Sequence, residues 1–309
     1  VLSSKKEIKV IMILVLGEIL FDLFPRFRRI GGAPFNFAFH LKKLGFPVRF
    51  ISRVGADALG REILSFLSRH QFDLNDIQID PIHDTGTVKV TMSEKEHAFT
   101  IILDTAWAHI AFDERLINLL QEPCELVYFG SLVQHSENGF QLIQRVMNQK
   151  KTGTRIFCDI NLRPDSYNQA VVKASLAAAD ILKLNQDELK KVLSETMTDN
   201  HMAEEIMDQL MRSHELELII LTLGSHGSQW VSQGKKYQCD TVAQTALVDT
   251  VGAGDAYAAI SAAGWLNKLP IETIMGLASE FAGYICTIKG ALPEDERIYT
   301  EFKKRIQKR

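Results

Sequence analysis

Cysteine is scarce in this 309-residue chain: the four present, Cys124, Cys158, Cys239 and Cys286, lie far apart and form no Cys-x-x-Cys pair. That leaves no disulfide framework or thiol-ligand pair to argue from, and a reduced cytoplasm fits best. The nine histidines supply no His-x-x-x-His ligand pair. An excess of one charge is missing too, since 35 Lys and Arg face 38 Asp and Glu for a net charge of -3. Neither a nucleic acid nor a membrane surface is implied as partner. The one local exception, "FKKRIQKR" at 302–309, reads as a solvated helix end. Long apolar runs are absent as well. The nearest approach, Val10 to Phe24, is interrupted by Glu18 and Asp22 and is followed by no small-residue cleavage site, so it reads as a buried strand. The preceding "VLSSKKEIK" is polar and loose. No repeat, low-complexity tract or Pro/Gly-rich linker divides residues 1–309, which read as one domain.

What is present is a soluble, globular composition, 46% hydrophobic and 24% charged, long enough for a sizeable core. Short β-branched runs near 10–16, 48–53, 126–130, 154–159, 180–184 and 217–223 alternate with stretches of helical period. Helices are expected at 34–44, 58–70, 113–120, 137–150, 169–178, 186–194, 203–213, 254–267, 271–289 and the C-terminus. This is the pattern of a mostly parallel sheet flanked by helices. Residues 85–105 break the rhythm: "TGTVKVTM" alternates with period two, "SEKE" is a polar turn and "HAFTIIL" returns. An antiparallel hairpin follows, projecting from the α/β body as a small β lid.

The stretch "DTVGAGDAYAA" at 249–259 carries the chemistry. Gly252 and Gly254 allow a turn that aims several backbone N–H groups at one point, where an anion can sit. It is not a P-loop, because no Gly-Lys-Ser/Thr occurs in the chain, and "VLGEILFD" after the first strand lacks the dinucleotide fingerprint. Asp255 is either a helix-starting acid or a group that accepts a proton from a hydroxyl attacking a phosphorus atom.

The same stretch resembles the second signature of the ribokinase-like (PfkB) carbohydrate kinases, and "GGAPFNFAFHLKKLG" at 31–45 resembles the first. "RVGADALG", "DINLRP", "LKLNQDE" and "LTLGSHGS" follow in the family's order, so the resemblance covers essentially the whole chain. "GEILFDLFP", "GGAP" and "TAWAHIAFD" are most similar to bacterial fructokinases. The resemblance implies a three-layer αβα body with a lid built from about 23–32 and 85–105. It also implies an ATP-dependent, Mg²⁺-assisted kinase acting on a small sugar, fructose first, with ribose or 2-keto-3-deoxygluconate as alternatives. A silent binding protein is the rival from another class, and it should have lost Asp255 or the glycines.

Residue by residue, the resemblance makes Asp255 the base and the amides of Gly252, Ala253 and Gly254 an anion hole, with Arg163 at the phosphate or sugar oxygens. A helix dipole should lower the Asp255 pKa. Asp22, Gly31, Gly32, Asn36, Phe99 and Trp107 are implied on the sugar side, and Asn185, Thr222, Gly224 and Gly227 on the nucleotide side. Glu188 is implied as a water-mediated Mg²⁺ ligand, and Asp249 as part of a K⁺ loop with carbonyls near Gly290 and Ala291. Plainer readings stand beside these. Asp22 is also a strand-end acid, Arg163 a surface ion-pair partner, Gly31-Gly32 and Gly224/Gly227 ordinary turns, and Asn185 with Glu188 a capping box. Two departures bear on the sugar. Phe35 stands close enough to Gly32 and Asn36 to narrow a pocket, and Ala108 replaces an acid common in fructokinase-like chains. A homodimer formed through the lid occurs in parts of the family.

Overall fold

The computed structural model describes residues 12–92, 97–194, 203–241 and 247–307. The polar start, the turn at 93–96 and the last residues of the basic end lie outside them. In chain order the elements are β1 (Met12–Leu16), β2 (Leu20–Leu23), β3 (Arg28–Gly31), α1 (Ala33–Lys43), β4 (Val48–Gly55), α2 (Ala58–Arg69), β5 (Ile77–Asp80), β6 (Thr87–Met92) and β7 (His97–Ile101). They continue with α3 (Glu114–Leu120), β8 (Cys124–Gly130), α4 (Glu137–Gln149), β9 (Arg155–Asp159), α5 (Gln169–Ala178), β10 (Ile181–Asn185), α6 (Gln186–Ser194) and α7 (Ala203–His214). The last are β11 (Leu218–Thr222), β12 (Ser228–Ser232), β13 (Lys235–Cys239), α8 (Ala253–Leu266), α9 (Ile271–Ile285) and α10 (Arg297–Gln307).

A nine-stranded sheet in the order β13-β12-β11-β10-β9-β8-β1-β4-β5 forms the middle layer. It is parallel except where β12 and β13 close one edge antiparallel. Alternate residues of a strand point to opposite faces, and β1 shows it: Ile13 and Val15 join the core under α1, α2, α8, α9 and α10. Met12, Leu14 and Leu16 join the core under α3 to α7. The result is the three-layer α/β fold expected from the alternating pattern. Helix α8 is buried nearly all round, which explains its alanines: small side chains let it lie close to α1 and α9. A Cβ at Gly264 would meet Ile274 at 2.8 Å.

The second sheet, β3-β2-β6-β7, is the lid. Here the single buried strand expected from Val10 to Phe24 needs correction. The chain leaves the body at Gly17, whose φ of 149° and closeness to Pro34 admit no side chain, and begins a new strand in the other sheet. The hairpin β6/β7 forms as expected, but it also extends a sheet, since β6 pairs in parallel with β2. Strands β2, β3, β5, β12 and β13 were not legible, being short and largely polar at their exposed positions. Helix α9 stops at Ile285 rather than 289. Among the described residues no helix is long and apolar enough to cross a membrane.

Candidate active site

A cleft of about 900 Å³ lies between the lid and the carboxyl ends of the body strands. Val88, Thr100 and Ile101 reach it from the lid, Asp159, Lys183 and Thr222 from the strand ends, and Gly252, Gly254 and Asp255 from the start of α8. Open α/β sheets bind ligands at this edge because loops and helix N-termini gather there.

Asp255 occupies the first turn of α8, and its Oδ2 accepts a hydrogen bond from Asn36 Nδ2 at 2.8 Å. Two distant motifs thus meet through one contact. Burial pushes the Asp255 carboxyl up to about 6, further helped by Asp159, against the pull of Asn36, Lys183 and Arg163. The expected lowering by the helix dipole is therefore overturned by desolvation, although the ionised form still predominates at neutral pH. Asn36 is 4% exposed and its Oδ1 has no partner. Beside it, Glu18 is 3% exposed with Oε2 unpartnered, and burial pushes it up to about 7. Two buried oxygens without partners, on residues that line one cleft, each cost free energy until a donor arrives.

Gly252 caps α8 in the left-handed region (φ 80°), and a Cβ there would meet that of Ala291 at 2.2 Å. Gly254 has room, the nearest atom to a Cβ there being the Lys183 ammonium nitrogen at 3.7 Å. The first amides of a helix have no partner within it and suit an anion. Ala253 is different: its amide faces Thr250 O at 3.3 Å, and the residue does not line the cleft.

Of the residues expected on a sugar side, Asp22 lines the cleft, and burial pushes its carboxyl up to about 6 despite Arg163 and Arg29. Gly31 does not line it; a Cβ there would strike Asp22 Oδ2 at 2.5 Å. Gly32 does line it, with φ 113° and space for no Cβ, the Glu18 carbonyl being 2.5 Å away. These glycines are required by protein neighbours first. Phe35 turns away from the cleft into the core against Phe39, Phe50 and Phe66, so it narrows no pocket. Trp107 is fully buried beside Leu132 and contributes no cleft surface, its Nε1 unpartnered. Phe99 belongs to β7, but its side chain lies outside the described residues. Arg163 lines the cleft from the loop after β9.

Toward the other end, Asn185 and Glu188 form a reciprocal cap: Asn185 Oδ1 accepts from the Glu188 amide at 2.9 Å and Glu188 Oε2 from the Asn185 amide at 2.8 Å. Glu188 Oε1 accepts the Leu162 amide at 3.0 Å, and burial raises its pKa. Both residues still line the cleft. Thr222 lines it, whereas Gly224 and Gly227 form the tight β11/β12 turn away from it. A Cβ at Gly227 would meet Cys239 O at 2.0 Å, so the close approach of β13 explains that glycine. Asp249 accepts amides from Val251 (3.1 Å) and Gly290 (3.0 Å), and Arg29 of the lid stands 3.7 Å from its Oδ2.

Glu18, Asp159 and Lys183 escaped the sequence reading. Lys183 Nζ donates to Asp159 Oδ2 at 2.7 Å, and both are buried. Burial alone would lower the Lys183 pKa, but Asp159 outweighs it and raises it. A signal existed: lysine within the otherwise apolar "ILKLN" is a charge at a core position.

This fold and this cleft define a class of α/β proteins that handle small polar ligands at the strand ends. The chain matches the pfkB family carbohydrate kinases over residues 27–296, and it belongs to that family. It is 29% identical over 296 residues to a fructokinase of Salmonella typhimurium, covering 90% of this chain and 94% of that one. It is 26% identical over 279 residues to a fructokinase of Rhizobium leguminosarum bv. trifolii, covering 85% and 81%. A solved fructokinase with bound ATP from Xylella fastidiosa superposes with a TM-score of 0.82 at 18% identity, over 96% of this chain and 99% of that one. A Vibrio cholerae fructokinase with fructose, ADP and calcium ion bound gives 0.80 at 23% identity, over 95% and 99%.

Proposed function

We propose that this carbohydrate kinase transfers the γ-phosphoryl group of ATP to a primary hydroxyl of a small sugar, with D-fructose giving fructose 6-phosphate as the first choice. The observation that carries the reading is the Asp255–Asn36 contact at the α8 N-terminus, inside a cleft that also holds unpartnered acceptors. Asn36 and Asp22 hold the sugar, Asn36 through an amide that both donates and accepts. Glu18 offers a further acceptor. Asp255 takes the proton of the attacking hydroxyl as the sugar oxygen bonds to the γ-phosphorus and the bond to the ADP oxygen breaks. The Gly252 and Gly254 backbone, Lys183 and Arg163 supply positive potential where negative charge develops; a preorganised donor of this kind contributes about 2.7 to 4 kcal/mol. Asn185 and Thr222 are assigned to the nucleotide side.

Mg²⁺, when bound, neutralises phosphate charge; Glu188, with lone pairs left after its two amide contacts, would hold it through water. Asp249 is assigned to the loop that could take K⁺. The lid hairpin closes over the sugar and keeps water from competing as acceptor. The names of the relatives support fructose, since those from Salmonella typhimurium and Rhizobium leguminosarum bv. trifolii are both fructokinases. A sugar panel in a coupled ADP-release assay tests the reading. ATP- and fructose-dependent turnover supports it, another sugar at higher kcat/KM moves the substrate, and no turnover with any sugar overturns it.

A further inference from the structure

Away from the cleft, three metal-binding side chains converge at the root of the lid. One donor atom from each of His83, Asp104 and His109 lies within 4.8 Å of the others. His109 Nε2 is 2.9 Å from Asp104 Oδ1, and His83 Nε2 is 3.9 Å from the same oxygen. The two imidazoles stack with centroids 3.6 Å apart, so their nitrogens already share one side of the carboxylate.

The surroundings of His83 add an independent observation. Asp80 is buried, and its Oδ2 lies 3.1 Å from His83 Nδ1 and 2.8 Å from Arg53 Nε. Its Oδ1 accepts the amides of Ile82 and His83 at 2.8 and 2.9 Å. With Arg53 beside it and two amides donating to it, Asp80 acts as an acceptor toward His83 too, so His83 Nδ1 carries the proton and Nε2 presents a lone pair toward Asp104. A carboxylate that fixes the tautomer of a histidine from behind is the arrangement that prepares imidazole for a metal.

We infer that His83, Asp104 and His109 form a second metal site, separate from the cleft, for a borderline divalent cation such as Zn²⁺. Two imidazole nitrogens and one carboxylate oxygen favour Zn²⁺ over Mg²⁺ or Ca²⁺, and three protein ligands leave a position for water. Binding requires the rings to open from their 13° stack and His109 to move its ring proton from Nε2, where it meets Asp104, to Nδ1, so that both Nε2 lone pairs point at one centre. All three residues are partly or largely exposed, which leaves room for that rotation. His83 precedes β6 and Asp104 follows β7, so the ion would staple the two ends of the lid hairpin, beside the Ala106 amide's bond to Asp84 O (2.9 Å).

Calorimetric titration with ZnCl₂, without nucleotide or Mg²⁺, tests the site. Wild-type protein should bind one Zn²⁺ with a rise in melting temperature, and H83Q/H109Q should weaken binding by about 100-fold or more. D80N, which leaves all three ligands in place, should weaken it by about 10 to 100-fold. D255N should leave it unchanged, which separates this site from the cleft. Zinc-edge absorption on the wild-type protein provides a readout that needs no variant: two imidazoles in the ligand shell are expected. Absence of stoichiometric binding, undiminished affinity in H83Q/H109Q, or a shell without imidazole each overturns the inference.

Discussion

The core beneath the cleft and the floor of the cleft are both poor in water, yet they are filled by different groups. In the core, rings pack on rings, Phe37 stacking on Tyr128 at 3.8 Å. On the floor, Glu18 and Asn36 each keep a buried oxygen unpartnered, and the carboxyls of Glu18, Asp22 and Asp255 are all pushed upward by burial. The difference separates apolar packing, which stabilises the fold, from concentrated buried polarity, whose cost the rest of the fold absorbs.

Replacing Asp255 with Asn should break the contrast most strongly: steady-state assays are expected to show turnover reduced by about 10² to 10⁴-fold, the span of a lost general base. Binding of ATP and sugar, followed calorimetrically, should persist. Phe37→Ala should do the reverse, costing about 3–5 kcal/mol in denaturant unfolding through the cavity left against Tyr128. Glu18→Gln sharpens the comparison. Burial pushes the Glu18 carboxyl up to about 7 from an ordinary 4.5, so the folded state binds its proton more tightly, and stability declines as pH rises between those values. The Gln variant should flatten that decline and be more stable above pH 7 by about 1–3 kcal/mol. With Asp255 near 6, kcat/KM should fall about tenfold per pH unit below that value and level off above it, because the ionised base is the active form. The smallest stability effect is expected at Gly254→Ala, where a methyl group fits, while Gly252→Ala, in the left-handed region against Ala291, should lower the melting temperature.

Local period and turn chemistry made the body legible: α5 and α6 match their expected ranges, and the hairpin at 87–101 lies where alternation placed it. The lid was only half visible. Strands β2 and β3 are four residues each, "LFDL" and "RRIG", too short for a period to emerge, and the pairing of β2 with β6 is a long-range event. In the cleft, the motifs pointed to Asp22, Asn36, Asn185 and Asp255, all of which line it. Trp107 and Phe35 went elsewhere, because an aromatic side chain beside a motif gains more from a core than from a wet surface. His83, Asp104 and His109 at the lid root were invisible to histidine spacing, since the two ends of a hairpin bring them together.

By itself, then, the order of residues determined the alternation of strands and helices and the glycine turn at 252–255, both consequences of preferences within a few residues of chain. Only the tertiary structure decided that Asn36 would hold Asp255, a partner 219 positions away. It also decided that burial would outweigh the helix dipole at that carboxylate, because desolvation depends on everything packed around a group and not on its neighbours in sequence.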